Sequence, residues 1–255
     1  MDNVQTDRRF RRVDVIGVPI SAVNMGECLD LLADEFDAFR GGYVCVSNAH
    51  TTVMAHDDPS YWEVQASSVL SVPDGKPLSV VGKKQVPSMD RVTGPDLMRA
   101  VFSDVRLARA RHYFYGNTEQ NLQALIDALK AQYPDLLIAG YEPSVFRPLD
   151  DGEKRDLGAR IDAARADFVW VGLGAPRQEN LCFDMKGLTR SCMIGVGGAF
   201  NILAGITPEA PAWMQNLSLE WLYRLLQEPR RLFKRYVVTN TKFIGYLITK
   251  KARKA

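Results

Sequence analysis

The sequence predicts an α/β fold: a Rossmann-like body with a largely parallel sheet, followed by a helical, basic C-terminal appendage. Three observations predict it. Short β-rich runs alternate with amphipathic helical stretches along most of the chain. Several of the runs are unbroken apolar segments, as expected of strands covered on both faces. The alternation stops near Pro208 and Pro211, after which the chain reads as helix alone.

The expected strands fall at residues 13–18, 43–47, 69–72, 112–115, 136–139, 168–172 and 192–196. Helical patterns lie between them, among them 25–39, 118–132 and 151–166. In the second of these, Leu122, Leu125, Ile126 and Leu129 form one apolar stripe at helical spacing. No internal repeat or low-complexity linker interrupts the pattern. The composition shift divides the chain into a body, residues 1–207, and an appendage, residues 208–255.

The 255 residues suffice for one large or two small domains, and 46% hydrophobic with 24% charged residues places the chain among ordinary globular proteins. Net charge is the unusual property. From Arg224 onward there are ten Lys/Arg and a single acid, Glu228, which leaves 22 basic and 29 acidic groups in the rest. The formal +2 therefore hides an acidic body and a strongly basic tail. Such asymmetry speaks to partners rather than fold, and a basic amphipathic segment seeks phosphate or an anionic surface. No apolar stretch reaches the ~18 residues of a membrane span, and Met1-Asp-Asn-Val-Gln-Thr-Asp lacks the apolar core of a signal peptide. The expectation is a protein that lies on a membrane rather than in it. Cys28, Cys45, Cys182 and Cys192 make no C-x-x-C pair and read as buried thiols in a reducing compartment.

In parallel sheets of this kind, ligands bind beyond the carboxyl ends of the strands. That rule selects five loops: Asn48-Ala-His-Thr, Pro73-Asp-Gly-Lys-Pro, Tyr115-Gly-Asn-Thr, Gly172-Leu-Gly-Ala-Pro-Arg-Gln-Glu and Gly195-Val-Gly-Gly-Ala-Phe-Asn. Glycines there let backbone N–H groups approach a phosphate at a helix start, or serve only tight packing. Asp74 is the carboxylate that stands out, a loop acid at a strand end that partial burial would tune as a general base. An Asp-Gly turn is the plainer use of the same dipeptide. Arg91-Val-Thr-Gly-Pro-Asp-Leu-Met sets an arginine before a helix, with Asp96 able to cap that helix or hold Arg91. His50, His56 and His112 have no metal-ligand spacing, and there is no Asp-x-Asp, Gly-x-Ser-x-Gly or P-loop lysine.

Two other classes are weighed against these loops. A Rossmann oxidoreductase needs a glycine fingerprint at its first βα turn, where Val18-Pro-Ile-Ser-Ala has none. A nucleic-acid-binding protein would explain the basic tail, but the tail carries no recognised motif and the five loops would go unused.

Taken together, Asn48-Ala-His, Pro73-Asp-Gly, Arg91-Val-Thr-Gly-x-Asp-Leu-Met, Gly172-Leu-Gly-Ala-Pro-Arg-Gln-Glu, Gly195-Val-Gly-Gly-Ala-Phe, Ala210-Pro-x-Trp-Met-Gln and Leu219-Glu-Trp-Leu-Tyr-Arg…Glu-Pro-x-Arg231 resemble the WecG/TagA/CpsF family of bacterial glycosyltransferases, in family order. The resemblance implies transfer of a sugar such as N-acetylmannosamine or glucose from a UDP-sugar to a polyprenyl-diphosphate-linked saccharide, with inversion. It implies no cofactor and no bound metal, no nucleic-acid partner, and a place on the cytoplasmic face of the bacterial inner membrane. It implies Asp74 as catalytic base, with Asn48 and Arg91 beside it. Tyr115, Gly116, Gly172, Gly174, Gln178, Gly197, Gly198, Phe200 and Asn201 form the expected nucleotide-sugar site. Arg224, Arg231 and Lys234 are expected at the donor diphosphate. The apolar face of the tail would meet the membrane interface, the body, or a second copy in a homo-oligomer. Departures from the family pattern fall at Val46-Ser47, at Glu209 before Ala-Pro, and at Lys76 after the Asp-Gly; they bear on sugar identity more than on reaction type.

Overall fold

The computed structural model describes residues 10–211, 213–214 and 219–249. Its centre is a six-stranded, all-parallel sheet built from β3 (Tyr43–Ser47), β4 (Leu70–Pro73), β5 (Arg111–Gly116), β6 (Leu137–Glu142), β7 (Phe168–Gly172) and β8 (Cys192–Gly195), in the order β4-β3-β8-β7-β5-β6. β3, β4, β7 and β8 are the unbroken apolar runs of the sequence, and all are buried along almost their whole length. Helices cover both faces of the sheet, as parallel strands require. The α/β fold read from the sequence is the fold observed.

The segment 13–18, expected as one strand, is a hairpin instead. β1 (Arg12–Val15) and β2 (Val18–Ser21) pair antiparallel around Ile16 and Gly17, both at positive φ (51° and 80°). Two successive positive-φ residues match the right-handed twist of the flanking strands. The Asp14 carboxylate accepts from the Gly17 N–H at 3.0 Å and closes the turn. The hairpin covers the β4 edge, where the Ser71 N–H donates to Ser21 Oγ at 2.9 Å.

Helix α1 (Met25–Asp34) starts at an Asn24–Glu27 capping box and gives way at Glu35 to a 3₁₀ turn, Phe36–Phe39, shorter than the helix expected over 25–39. α2 (Ala49–Asp57) follows β3, and α3 (Pro59–Ala66) leads into β4. α4 (Lys76–Lys83) and α5 (Gly94–Ser103) lie between β4 and β5; α6 (Glu119–Gln132) joins β5 to β6, burying the expected stripe of Leu122, Leu125, Ile126 and Leu129. α7 (Asp151–Ala163), α8 (Arg177–Asp184) and the short α9 (Ala199–Leu203) complete the body. The four cysteines are unpaired and buried.

The basic tail forms α10 (Glu220–Gln227) and α11 (Pro229–Thr249). α11 packs along α2. Phe243 is buried in a core cluster with Val13, Val15, Val53 and Leu78, and Tyr246 stacks on His56 with ring centroids 3.9 Å apart. Asp57, at the end of α2, receives both Lys242 Nζ and Tyr246 OH at 2.6 Å. The helix that carries the tail's charge is thus joined to the helix that begins at Asn48. Among the described residues, no helix is long and apolar enough to cross a membrane.

Candidate active site

Because all six strands run the same way, the five selected loops emerge along one edge of the sheet. The chain goes from β3 outward to β4, then crosses to β5 and β6 on the far side, and only later fills the centre with β7 and β8. Loops leaving β3 and β5 therefore diverge over the central strands, the usual place for a ligand crevice.

Asn48 and Asp74 are brought together by strand register. Ser47 pairs with Pro73, so the next residue of each strand sits beside the other. The Asp74 N–H donates to the Ser47 carbonyl at 2.6 Å. Asn48 is the N-cap of α2. Its Oδ1 accepts from the N–H groups of His50 (3.0 Å) and Thr51 (3.2 Å), which spends the oxygen on the helix. The amide nitrogen is left facing Asp74, 3.5 Å from Oδ2.

Burial pushes the Asp74 carboxyl up to about 6. Arg224, the Asn48 hydrogen bond and Arg91 pull it down, while Glu220 pushes it further up. Loss of hydration disfavours the charged form, and here that effect outweighs the cations. A carboxylate with this affinity for protons is ionised at neutral pH yet basic enough to take a proton during a reaction.

Arg91 reaches the same place by a backbone tie: the N–H of Val92 donates to the Pro73 carbonyl at 2.8 Å. Its guanidinium makes an ion pair with Glu220 in the first turn of α10, and lies 3.9 Å from Asp96. Thr93 caps α5 and its hydroxyl donates to Asp96 at 2.7 Å, so Asp96 serves the helix start. Further along, Arg99 makes a two-pronged pair with Glu209, 2.9 and 2.8 Å. Between the two ion pairs lies a small cleft with Thr93, Asp96, Glu209, Glu220, Tyr223 and Arg224 in its wall. Of the three expected diphosphate cations, Arg224 is in this wall, Lys234 is exposed on α11, and the Arg231 side chain lies outside the described residues.

The glycine loops are packed as tightly as their composition suggests. Gly116, at φ 125°, lies so close to Gly172 that a Cβ would meet its backbone at 2.8 Å. A Cβ on Gly172 would stand 2.4 Å from the Phe200 ring. Gly174 and Gly197 are both at positive φ, with open space at Gly174 and Gly198. Gln178 joins the two loops: its Oε1 accepts from the Gly174 N–H at 2.9 Å, and its side chain packs over Gly195 and Gly197.

The structure thus divides the expected nucleotide-sugar residues. Gly174, Gly197 and Gly198 lie in the loops that leave β7 and β8, and Asn201, half-buried, receives the Asn117 amide at 2.6 Å. Tyr115 and Phe200 are turned into separate cores, 4% and 0% exposed, where they shape the loops by packing. Gln178 is also buried, its amide spent on Gly174 and on Glu179, whose Oε1 accepts from Nε2 at 2.9 Å. Glu179 itself is buried and lifted by desolvation to about 7.

Sequence reasoning missed Glu220, Asn117 and Arg235. Glu220 precedes Arg224 by one helical turn, a spacing that puts both on one face. Asn117 sits at φ 63° directly after Gly116. Burial lowers the proton affinity of His50, and the charge of Arg235 lowers it further. Among the described residues, no three His, Cys, Asp or Glu side chains cluster so as to hold a metal ion.

A family model described as glycosyl transferase WecG/TagA/CpsF family matches residues 13–255. The chain is 28% identical over 222 residues to an N-acetylglucosaminyldiphosphoundecaprenol N-acetyl-beta-D-mannosaminyltransferase of Bacillus subtilis (strain 168), covering 84% of this chain and 83% of that one. A protein of the same name from Bacillus spizizenii (strain ATCC 23059 / NRRL B-14472 / W23) is 29% identical over 197 residues, 76% and 75% of the two chains.

Proposed function

The chain belongs to the glycosyl transferase WecG/TagA/CpsF family, and from that premise we propose that it moves a sugar from a UDP-sugar to a polyprenyl-diphosphate-linked saccharide, with inversion and without a metal. The observation that carries the reading is Asp74, a partly buried carboxylate with proton affinity raised to about 6, held by Asn48 at the crevice edge.

The reaction couples one bond made to one bond broken. An acceptor hydroxyl oxygen bonds to the anomeric carbon from the face opposite UDP. The bond from that carbon to the β-phosphate oxygen breaks, and the hydroxyl proton passes to Asp74. UDP leaves with a growing negative charge. Arg224, Arg231 and the backbone N–H groups of the glycine loops oppose that charge. N-acetylmannosamine is the preferred donor sugar, and a diphosphate-linked N-acetylglucosamine the preferred acceptor, because the two Bacillus relatives are named for that pair.

The appendage places the body against the cytoplasmic face of the inner membrane. Trp213, Trp221, Leu226, Phe233, Val237 and Ile248 are exposed in the same region as the tail's cations. Each Lys or Arg near an anionic surface contributes on the order of 1 kcal/mol. Mass spectrometry of products from a panel of UDP-sugars, with a synthetic lipid-diphosphate N-acetylglucosamine acceptor, tests the reading. One UDP-sugar should yield a disaccharide product and free UDP; no transfer from any member of the panel would refute it.

A further inference from the structure

Glu220 is not needed for the reaction as drawn above, yet it sits where it decides the state of the base. It is the first residue of α10, one turn before Arg224, and shares the cleft wall with it. Its carboxylate holds the Arg91 guanidinium; the two side chains are 27% and 23% exposed, so the pair is shielded enough to matter. The other carboxylates near Arg91 are already committed. Asp96 accepts from Thr93 at 2.7 Å and from Arg99 at 3.5 Å, and Asp90 pairs with Lys83 at 3.0 Å. Asp74 is a further carboxylate within electrostatic reach of both Arg91 and Arg224, and its side-chain hydrogen bond comes from the uncharged Asn48 amide.

We propose that Glu220 is a positioning residue that engages Arg91 and so keeps the guanidinium from pairing with Asp74, leaving that carboxylate free to accept a proton. This rests on the assignment of Asp74 as base. Two effects act in the same direction. Glu220 adds its own negative charge beside Asp74, and it occupies a cation that would otherwise stabilise the ionised form. Without it, Arg91 would be released to join Arg224 in acting on Asp74, and an ion-paired carboxylate is a poorer base.

The test is Glu220→Gln in the full chain, with Glu220→Asp as the charge-preserving control. Aspartate-selective ¹³C labelling follows the Asp74 carboxyl directly, its resonance identified by its absence in Asp74→Asn. In Glu220→Gln the Asp74 midpoint should fall from near 6 by about half a pH unit or more, a size set by replacing one neighbouring charge. The acid limb of kcat/KM should move the same way, and kcat on the alkaline plateau should drop several-fold while the donor KM does not rise. Glu220→Asp should restore most of both. In an Arg91→Gln background, Glu220→Gln should shift Asp74 less than it does in the wild type. If Glu220 only docks α10, the variant will melt earlier and bind donor more weakly with the Asp74 midpoint unmoved. That result, or equal shifts in both backgrounds, would overturn the proposal. A shifted Asp74 midpoint with an unmoved rate profile supports the role of Glu220 and removes Asp74 as base instead.

Discussion

The Asn48 carboxamide joins a helix to a carboxylate: its oxygen caps α2, and its nitrogen stands 3.5 Å from Asp74. Orientation of the amide is therefore fixed by the helix rather than by the acid. This relationship makes Asn48 both a structural and an electrostatic element of the site.

Asn48→Ala should act on both counts. Loss of the cap costs about 1 kcal/mol of stability, visible in urea melts. Loss of the hydrogen bond to the ionised form should raise the Asp74 proton affinity. The rate of the wild type should rise with pH through about 6, as Asp74 ionises. In Asn48→Ala that rise should come at higher pH, and a rise at lower pH would contradict the hydrogen bond's assigned sign.

The glycine loops give a steric prediction. Gly172→Ala would put a methyl group 2.4 Å from the Phe200 ring, which is itself fully buried. Overpacking of this kind typically costs about 1–3 kcal/mol. Thermal melting should fall, and UDP binding by calorimetry should weaken with it, since Gly172 and Phe200 shape adjoining loops. Gly198→Ala, where a Cβ meets open space, should leave the melting temperature unchanged.

A third prediction concerns pH and stability. Glu179 is buried, its proton affinity raised from 4.5 to about 7. A carboxyl raised in the folded state contributes stability that is whole below about 4.5 and lost as pH rises through about 7. The groups facing it, Gln178, Tyr61, Cys45 and Cys182, offer no positive charge to reverse that sign. Glu179→Gln should therefore gain in melting temperature relative to wild type as pH is raised from 5 to 8. A constant difference across that range would show that Glu179 does not titrate there.

Transfer should persist in excess EDTA. The sequence has no Asp-x-Asp, and the proposed compensation for the leaving diphosphate is arginine and backbone N–H. Activity abolished by chelator and restored by magnesium or manganese would remove that part of the proposal.

Much of the fold was legible because buried parallel strands are written as short apolar runs, as in Tyr-Val-Cys-Val-Ser at β3 and Phe-Val-Trp-Val-Gly at β7. Asn48 and Asp74 were legible for the same reason: each follows such a run and opens a polar, turn-forming segment. The β1–β2 hairpin was not, since Ile16-Gly17 lacks the Asn or Asp that usually marks such a turn. Tyr115 and Phe200 lie in site loops by sequence but face the core. For Tyr115 the two-residue period of a strand already sets it beside Tyr113, on the face that packs against Val169 and Val171. The Arg91–Glu220 and Arg99–Glu209 pairs join residues 129 and 110 apart in sequence. No local pattern announces such contacts, although the Glu220–Arg224 spacing marks one face of α10.

The central claim is that Asp74 takes the acceptor proton, and Asp74→Asn tests it most directly. The amide keeps the shape of the side chain and cannot accept that proton. Turnover of the matched UDP-sugar and lipid-diphosphate acceptor should fall by about 10²–10⁴-fold, with UDP affinity unchanged by calorimetry. The loss should lie in kcat rather than donor KM. A variant that keeps more than about a tenth of the wild-type rate, below the range general-base catalysis supplies, would contradict the assignment.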